Sequence, residues 1–421
     1  MARWLFLLLL LVPARAATRL YVAPDDGAAY LKRFLASARR EVEVALYLWT
    51  RGRLDLAETL AGEARRGVRV RVLLDERPGG EPQDPEVLRV LRAGGVEVRF
   101  VSPVRFAHYH IKAARVDGRR LWFSTGNWTR SSFTRNREYS LVTDRPDWVA
   151  EFGRVFAADW EARALALSDA ALVWSPQRVY SILHPFWEGN ARRRLLGLIA
   201  AARTDLLIEQ NGFTDEALYQ ALLEAMDRGV RVRLLGDARS RNSHYFGRMA
   251  ERLRAQGAQV RYLSGLKVHA KAMLVDGERA FVGSQNFTAA ALTANRELGA
   301  VLQAGPALAR LQARMEADWA RASPAVRAPA GPVPWSEAGR YLGLSVAVEG
   351  RVLGIERRGS VYRLRFDRAG RFFVVIPARV AGRFPLGRYP GRRVRVRGRV
   401  RRYRDHLEIV VEDPARIEVV P

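Results

Sequence analysis

The sequence predicts an α/β protein built from two copies of one α/β domain, followed by a small all-β barrel. Three observations predict it. A five-residue polar pattern recurs in register, helix-like stretches alternate with short β-branched runs in both copies, and a Pro-rich break precedes a segment that reads as strands alone.

The polar pattern comes first. His110, Lys112 and Asp117 stand in the order H-x-K-x-x-x-x-D, and His269, Lys271 and Asp276 repeat it 159 residues later. Asn127 and Asn286 each lie ten residues past their Asp, and Glu138 and Glu297 each lie eleven past their Asn. With only six His in 421 residues, and Lys only at 32, 112, 267 and 271, such a recurrence is not incidental. These residues carry chemistry.

Met1-Ala2-Arg3-Trp4, with its basic Arg3, leads into a short apolar run from Leu5 to Val12 and an Ala14-Arg15-Ala16 end. That is the pattern of a cleavable signal peptide over 1–17, cut near Ala16 or Ala17, and it predicts a secreted or periplasmic protein. Residues 18–165 and 171–322 read as the two copies. Arg66-Gly67-Val68-Arg69 returns as Arg228-Gly229-Val230-Arg231, and Asp159-Trp160 returns as Asp318-Trp319. In each copy a helical stretch, 55–66 or 215–228, feeds a β-branched run, 68–74 or 230–235, which implies a mixed or mostly parallel sheet covered by helices. The triplet falls on the next strand. Period-two alternation puts His110 and Lys112 on one face and Asp117 on the other, ahead of an Asp-Gly turn.

Residues 323–334 contain four Pro and read as a linker. Segments 345–353, 361–367, 372–377, 392–401 and 407–411 then predict a five-stranded module over 335–421, which a small barrel closes economically. The module resembles an oligonucleotide-binding (OB) fold by strand pattern.

The formal net charge of +26 is almost all Arg, and a field of that sign attracts polyanions, either nucleic acid or an anionic phospholipid surface. In the last segment Arg393, Arg395, Arg397 and Arg399 form a row two residues apart, a candidate phosphate-tracking face with Tyr362, Phe372, Tyr389 and Tyr403 as stacking platforms. A solvated strand face is the plainer reading of the same row. The chain contains no Cys, which excludes disulfides and thiolate metal sites.

Cleaving a phosphodiester needs a nucleophile, an acid for the leaving oxygen, and positive groups on the phosphoryl oxygens. Two imidazoles, two ammonium groups and two amides supply all three. The repeats resemble the phospholipase D superfamily, whose H-x-K-x-x-x-x-D signature is followed by G-S-x-N. The second copy keeps Gly283-Ser284-Gln285-Asn286, whereas the first has Ser124-Thr125-Gly126-Asn127. The resemblance implies a single active site shared by the repeats, a phosphohistidine intermediate, and no metal or other cofactor. It implies that Glu138 and Glu297 hydrogen-bond a catalytic imidazole, and that Asp117 and Asp276 are structural. The usual order makes His110 the nucleophile and His269 the general acid, with Lys112, Lys271, Asn127 and Asn286 on the phosphoryl oxygens and Thr125 and Ser284 against substrate.

His108, although two residues from His110, lacks the carboxylate cluster of a zinc site, and His184, His244 and His406 read as ordinary surface or packing residues. For substrate, the basic field favours a nuclease acting on DNA or RNA. A phospholipase D that hydrolyses or transfers headgroups is the alternative, and a non-catalytic nucleic-acid binder is a third reading. Trp122, Trp128, Phe133, Tyr245, Phe246 and Phe287 supply aromatic side chains for stacking bases or for entering a bilayer. Two repeats in one chain complete a site, so a monomer suffices and no obligate protein partner is required.

Overall fold

The computed structural model describes residues 17–421 apart from 177–187, 242, 325–328, 330, 342–343 and 404–405. The signal-peptide segment, save Ala17, lies outside the described residues, as do His184 and part of the linker. Contacts divide the chain into two compact units, one of residues 1–232 and 268–317, the other of 233–267 and 318–421.

In the first unit the strands Glu41–Leu46, Arg69–Asp75 and Glu97–Val101 run parallel. Parallel neighbours need a long crossover, and the helices Leu54–Arg65 and Pro85–Ala93 provide it. The strand Lys112–Val116 pairs antiparallel with Glu41–Leu46, and the sheet continues antiparallel through Arg120–Ser124 and Asn136–Thr143 to Thr18–Ala23. Val42, Val44, Val70 and Val72 bury one face against Leu31, Leu56, Leu60, Val87 and Leu91 of the helices. Helix Pro146–Trp160 packs against Lys112–Val116 and Arg120–Ser124.

The same unit holds five strands of the second copy, in the order Asp205–Gln210, Lys271–Val275, Arg279–Gly283, Glu297–Leu302 and Val173–Ser175. All neighbours in that order are antiparallel. Each motif strand ends in the same turn. Asp117 and Gly118 have φ of 54° and 62°, Asp276 and Gly277 have 54° and 73°, and the left-handed pair matches the twist of the flanking strands. Asp117 accepts from the backbone N–H of Arg39, Arg40 and Glu41, and Asp276 from those of Arg203, Thr204 and Asp205. Although burial acts upward on the Asp276 carboxyl, these donors hold it at about 2.

The second unit contains Gln259–Leu263, which lies parallel to Arg231–Asp237, and the C-terminal module. The closed barrel expected there is corrected: the strands form two separate sheets. One holds Val333–Pro334, Ser345–Arg351, Arg393–Arg399 and Ile417–Val420; the other holds Gly354–Arg358, Val361–Arg365, Phe372–Pro377, His406–Val410 and Arg401–Tyr403. The chain changes sheet at a corner, where Val352 N–H bonds Arg392 O at 2.9 Å and Leu353 N–H bonds Arg365 O at 2.7 Å. Val346, Val348, Val374, Ile376, Val394, Val396 and Ile409 share the core between the sheets. Gly354–Arg358 and Ile417–Val420 escape the sequence reading because charged residues interrupt their apolar alternation.

Candidate active site

The two motifs exchange partners. His110 Nδ1 lies 2.7 Å from Glu297 Oε2, and His269 Nδ1 lies 2.8 Å from Glu138 Oε1, so each imidazole is held by the carboxylate of the other copy. Backbone contacts bring this about. Arg296 N–H bonds His108 O at 2.8 Å, just before His110 and Glu297, and His269 N–H bonds Arg137 O at 3.2 Å, just before Glu138. Alternation put His110 on the motif strand. It stands instead two residues ahead of Lys112–Val116, in the segment bridged through Tyr109 to Arg296.

Each Glu is locked by its own copy. Glu138 accepts from Thr125 Oγ1 at 2.7 Å and Asn136 Nδ2 at 3.0 Å; Glu297 accepts from Ser284 Oγ at 2.5 Å and Asn295 Nδ2 at 3.1 Å. Thr125 and Ser284 are therefore corrected from substrate-binding residues. Both are fully buried with their hydroxyls committed to a carboxylate. Gly126 has a packing reason, since a Cβ there would come within 2.7 Å of Glu138 Cδ. Ser124, where the second copy has Gly283, turns away to bond Tyr139 O.

Lys112 Nζ donates to His110 O and Lys271 Nζ to His269 O, each at 2.6 Å. Lys271 Nζ also lies 3.3 Å from Thr125 O, which ties the second motif to the first. The amide oxygens of Asn127 and Asn286 are buried without a protein hydrogen-bond partner.

The pairs differ electrostatically. Burial pushes the His110 imidazole well below its usual range, with Lys112 and Lys271 adding to the effect, and burial pushes Glu297 up to about 8. Burial also acts upward on Glu138, but the His269 charge and hydrogen bond, Lys271 and Thr125 outweigh it and hold this carboxylate at about 2. Burial thus biases the first imidazole toward its neutral form, while the second faces a carboxylate held in its charged form.

Sequence spacing missed several neighbours. Arg296 is fully buried and grips Asp159 through two hydrogen bonds of 3.0 and 3.1 Å, with Tyr109 Oη 3.2 Å from the same carboxylate. The signal was present: Asn-Arg-Glu recurs whole at 136–138 and 295–297, and Asp159-Trp160 is itself repeated. Tyr47 packs its ring edge-on to His110, with centroids 4.6 Å apart.

The aromatic reading is corrected. Trp122, Trp128, Phe133, Phe246 and Phe287 are buried in cores, and of that set only Tyr245 is exposed. Phe372 and Tyr389 are also buried, which removes two of the four proposed stacking platforms. The Arg row is largely ion-paired: Arg393 and Arg395 bond Glu349, Arg395 also bonds Glu418, and Arg397 lies 3.9 Å from Glu418. Arg399 donates to Arg239 O at 3.3 Å. Cross-strand glutamates, invisible in strand alternation, thus neutralise part of the face. Of the other histidines, His108 lies 3.7 Å from Asp75, His244 contacts Arg248, and His406 is buried 3.6 Å from Glu408.

The family described as "Cardiolipin synthase, PLD-like domain" matches residues 31–160 and 195–319. The chain belongs to the phospholipase D superfamily. Curated relatives include cardiolipin synthase A of Yersinia pseudotuberculosis and of Yersinia pestis, each 25% identical over 318 residues and covering 68% of this chain. The chain spans 65% of the length of these relatives. The phosphatidylserine synthase structure from Haemophilus influenzae superposes with a TM-score of 0.53 at 12% identity, covering 73% of this chain and 87% of that one. The polyphosphate kinase from Porphyromonas gingivalis gives 0.56 at 17% identity, covering 73% and 48%. These two likenesses establish the fold. The nuclease reading, with nucleic acid as partner, is corrected: the curated relatives at these matches are cardiolipin synthases, and several of the residues offered for nucleic acid are buried or ion-paired.

Proposed function

We propose that this phospholipase D superfamily member is a phosphodiesterase of phospholipids that hydrolyses or transfers their headgroups through a phosphohistidine. The observation that carries the reading is the crossed pairing, which fixes each ring at Nδ1 through the carboxylate of the other copy. His110 takes the nucleophile's place in the family's usual order, and burial biases its imidazole toward the neutral form. Its Nε2 attacks phosphorus, the bond from phosphorus to the headgroup oxygen breaks, and His269 gives that oxygen its proton. Lys112, Lys271, Asn127 and Asn286 stabilise the phosphoryl oxygens in a site that is prearranged and largely dry. Water or an alcohol then reverses the roles. The cardiolipin synthase relatives support phospholipid as the substrate class.

The test is incubation of the full chain with phosphate-labelled phosphatidylglycerol in mixed micelles, followed by an acid-labile label trap. Wild type is expected to release headgroup and to carry label on His110, and His110→Ala to carry none. Turnover with no protein-bound label under rapid quench would overturn the covalent route.

A further inference from the structure

The first copy carries a cationic groove at the end of its motif strand remote from the catalytic histidines. Lys112 begins the strand Lys112–Val116 on the catalytic side, and Val116 stands opposite Arg120 at the other end, roughly 14 Å away at the rise of a strand. Beside Arg120, helix Ala29–Leu35 and the strands Thr18–Ala23 and Asn136–Thr143 enclose a groove of about 370 Å³. Arg19, Arg33 and Arg120 line it, and Asp144 is the one acidic residue among its lining. Val142 stands between Arg19 and Trp122, so Arg19, and Arg120 two residues before Trp122, lie on the sheet face that the helix covers. None of the motif residues lines this groove.

Its apolar wall is aromatic. Tyr21 and Tyr30 stack with ring centroids 3.8 Å apart and planes 4° from parallel, and the Arg120 guanidinium lies 5.4 Å from the centre of the Phe34 ring. Arg120 donates to Ser37 Oγ, and Asp144 Oδ1 accepts from Ala17 N–H at 2.6 Å. Arg19 and Arg33 are exposed, and among the described residues neither has an ion pair with a carboxylate. Three guanidiniums thus face one carboxylate, which is already engaged by a backbone donor.

The fold does not require these arginines, as the second copy demonstrates. Arg33 lies six residues before Arg39, whose N–H bonds Asp117; the same count back from Arg203, whose N–H bonds Asp276, reaches Gly197. The strand that matches Thr18–Ala23 is Val173–Ser175, and Ala171 and Leu172 ahead of it give their N–H groups to Glu151. Only Arg120 has a counterpart, Arg279, which donates to Ala201 O. Gathered like charges repel, so the first copy's cluster gains from an anion that joins it.

We propose that this groove is a second, non-catalytic site that binds the phosphate of a phosphate ester. Arg19, Arg33 and Arg120 hold the phosphate oxygens, and the stacked Tyr21 and Tyr30 rings meet the organic part of the ester. The planar fork of Arg pairs with phosphate through two N–H donors at once, and such charge-assisted bonds are stronger than neutral ones. The ester is a phospholipid headgroup or a small ester in solution, and the two are told apart by their probes.

The experiment titrates the full chain calorimetrically with dihexanoylphosphatidic acid, glycerol 3-phosphate and inorganic phosphate. Wild type is compared with Arg19→Ser/Arg33→Ser and with Arg383→Ser/Arg388→Ser, which removes the same charge from exposed positions elsewhere. The groove variant is expected to bind the esters about tenfold or more weakly, the size of one charge-assisted bond, and the control variant to match wild type. Both should turn over bis(p-nitrophenyl) phosphate as wild type does. Tighter binding of dihexanoylphosphatidic acid than of glycerol 3-phosphate identifies a lipid ligand, and the reverse order a soluble one. Equal losses in the two variants would reduce the effect to net charge and overturn the site, as would unchanged affinity in the groove variant. Binding of inorganic phosphate with neither ester would overturn the role of the aromatic wall and with it the ester. If the double variant loses turnover, Arg33→Ser alone carries the test, and an unchanged affinity there overturns the proposal.

Discussion

His110 of the first copy sits edge-on to the Tyr47 ring and pairs with Glu297 of the second, a carboxyl pushed up to about 8; His269 of the second copy pairs with Glu138 of the first, a carboxylate held at about 2. The same five polar residues thus work in two environments. Duplication supplied matching parts, and their surroundings made the two imidazole–carboxyl pairs electrostatically unlike.

The sharpest way to break this comparison is to remove each imidazole. His110→Ala and His269→Ala should each lower turnover of phospholipid by more than about a thousandfold, because residues that act as a unit fail together. They should part on bis(p-nitrophenyl) phosphate, whose leaving group needs little protonation. There His269→Ala should still release a burst of p-nitrophenol and His110→Ala none; a burst from His110→Ala alone would reverse the assignment.

The carboxyls come next, and pH separates them. The reactive form of the first pair has ionised Glu297 accepting from Nδ1–H with Nε2 bare, so kcat/KM should climb as pH rises through about 8. Glu297→Gln should abolish that limb. Stability follows the opposite logic in the two copies. The Glu297 carboxyl is raised above 4.5, so its neutral form is favoured in the fold and its contribution is lost as pH rises from 4.5 through about 8. The Glu138 carboxyl is depressed, so its contribution is present above 4.5 and is lost as pH falls toward about 2. Thermal melts across pH should flatten on the alkaline side in Glu297→Gln and on the acid side in Glu138→Gln. Identical profiles in the two variants would erase the asymmetry.

Smaller effects concern the frame. Asp159→Ala removes the carboxylate that Arg296 grips inside the fold, and should cost about 3–5 kcal/mol in denaturant unfolding. Asp117→Ala and Asp276→Ala each remove the acceptor of three backbone N–H groups that lead into the neighbouring strand, and should cost about 1–3 kcal/mol while leaving headgroup preference as in wild type. A shifted preference would mean that the turns do more than close hairpins.

The α/β class was legible because apolar periodicity and the doubled pattern are local properties of the chain. His110, Lys112, Asn127, Glu138 and their counterparts were legible as a set because they recur at fixed spacing. Their crossing was not: Glu297 meets His110 only through the bridge from Tyr109 to Arg296, and no spacing within one copy encodes it. The Arg row failed for a related reason. Its alternation is a property of one strand, but Glu349 and Glu418, which neutralise it, belong to the neighbours on either side. The aromatic residues near the motifs misled because proximity in sequence does not reveal which side of the sheet a ring takes; Trp122 and Trp128 sit inside the helix-covered core.

The exchanged carboxylates also set a timetable. During synthesis His110 leaves the ribosome 187 residues before Glu297, the group that orients it. Glu138 precedes His269 and waits for its imidazole instead. A growing chain therefore carries an imidazole without its orienting carboxylate until most of the second copy has emerged, and the crossed site can close only then.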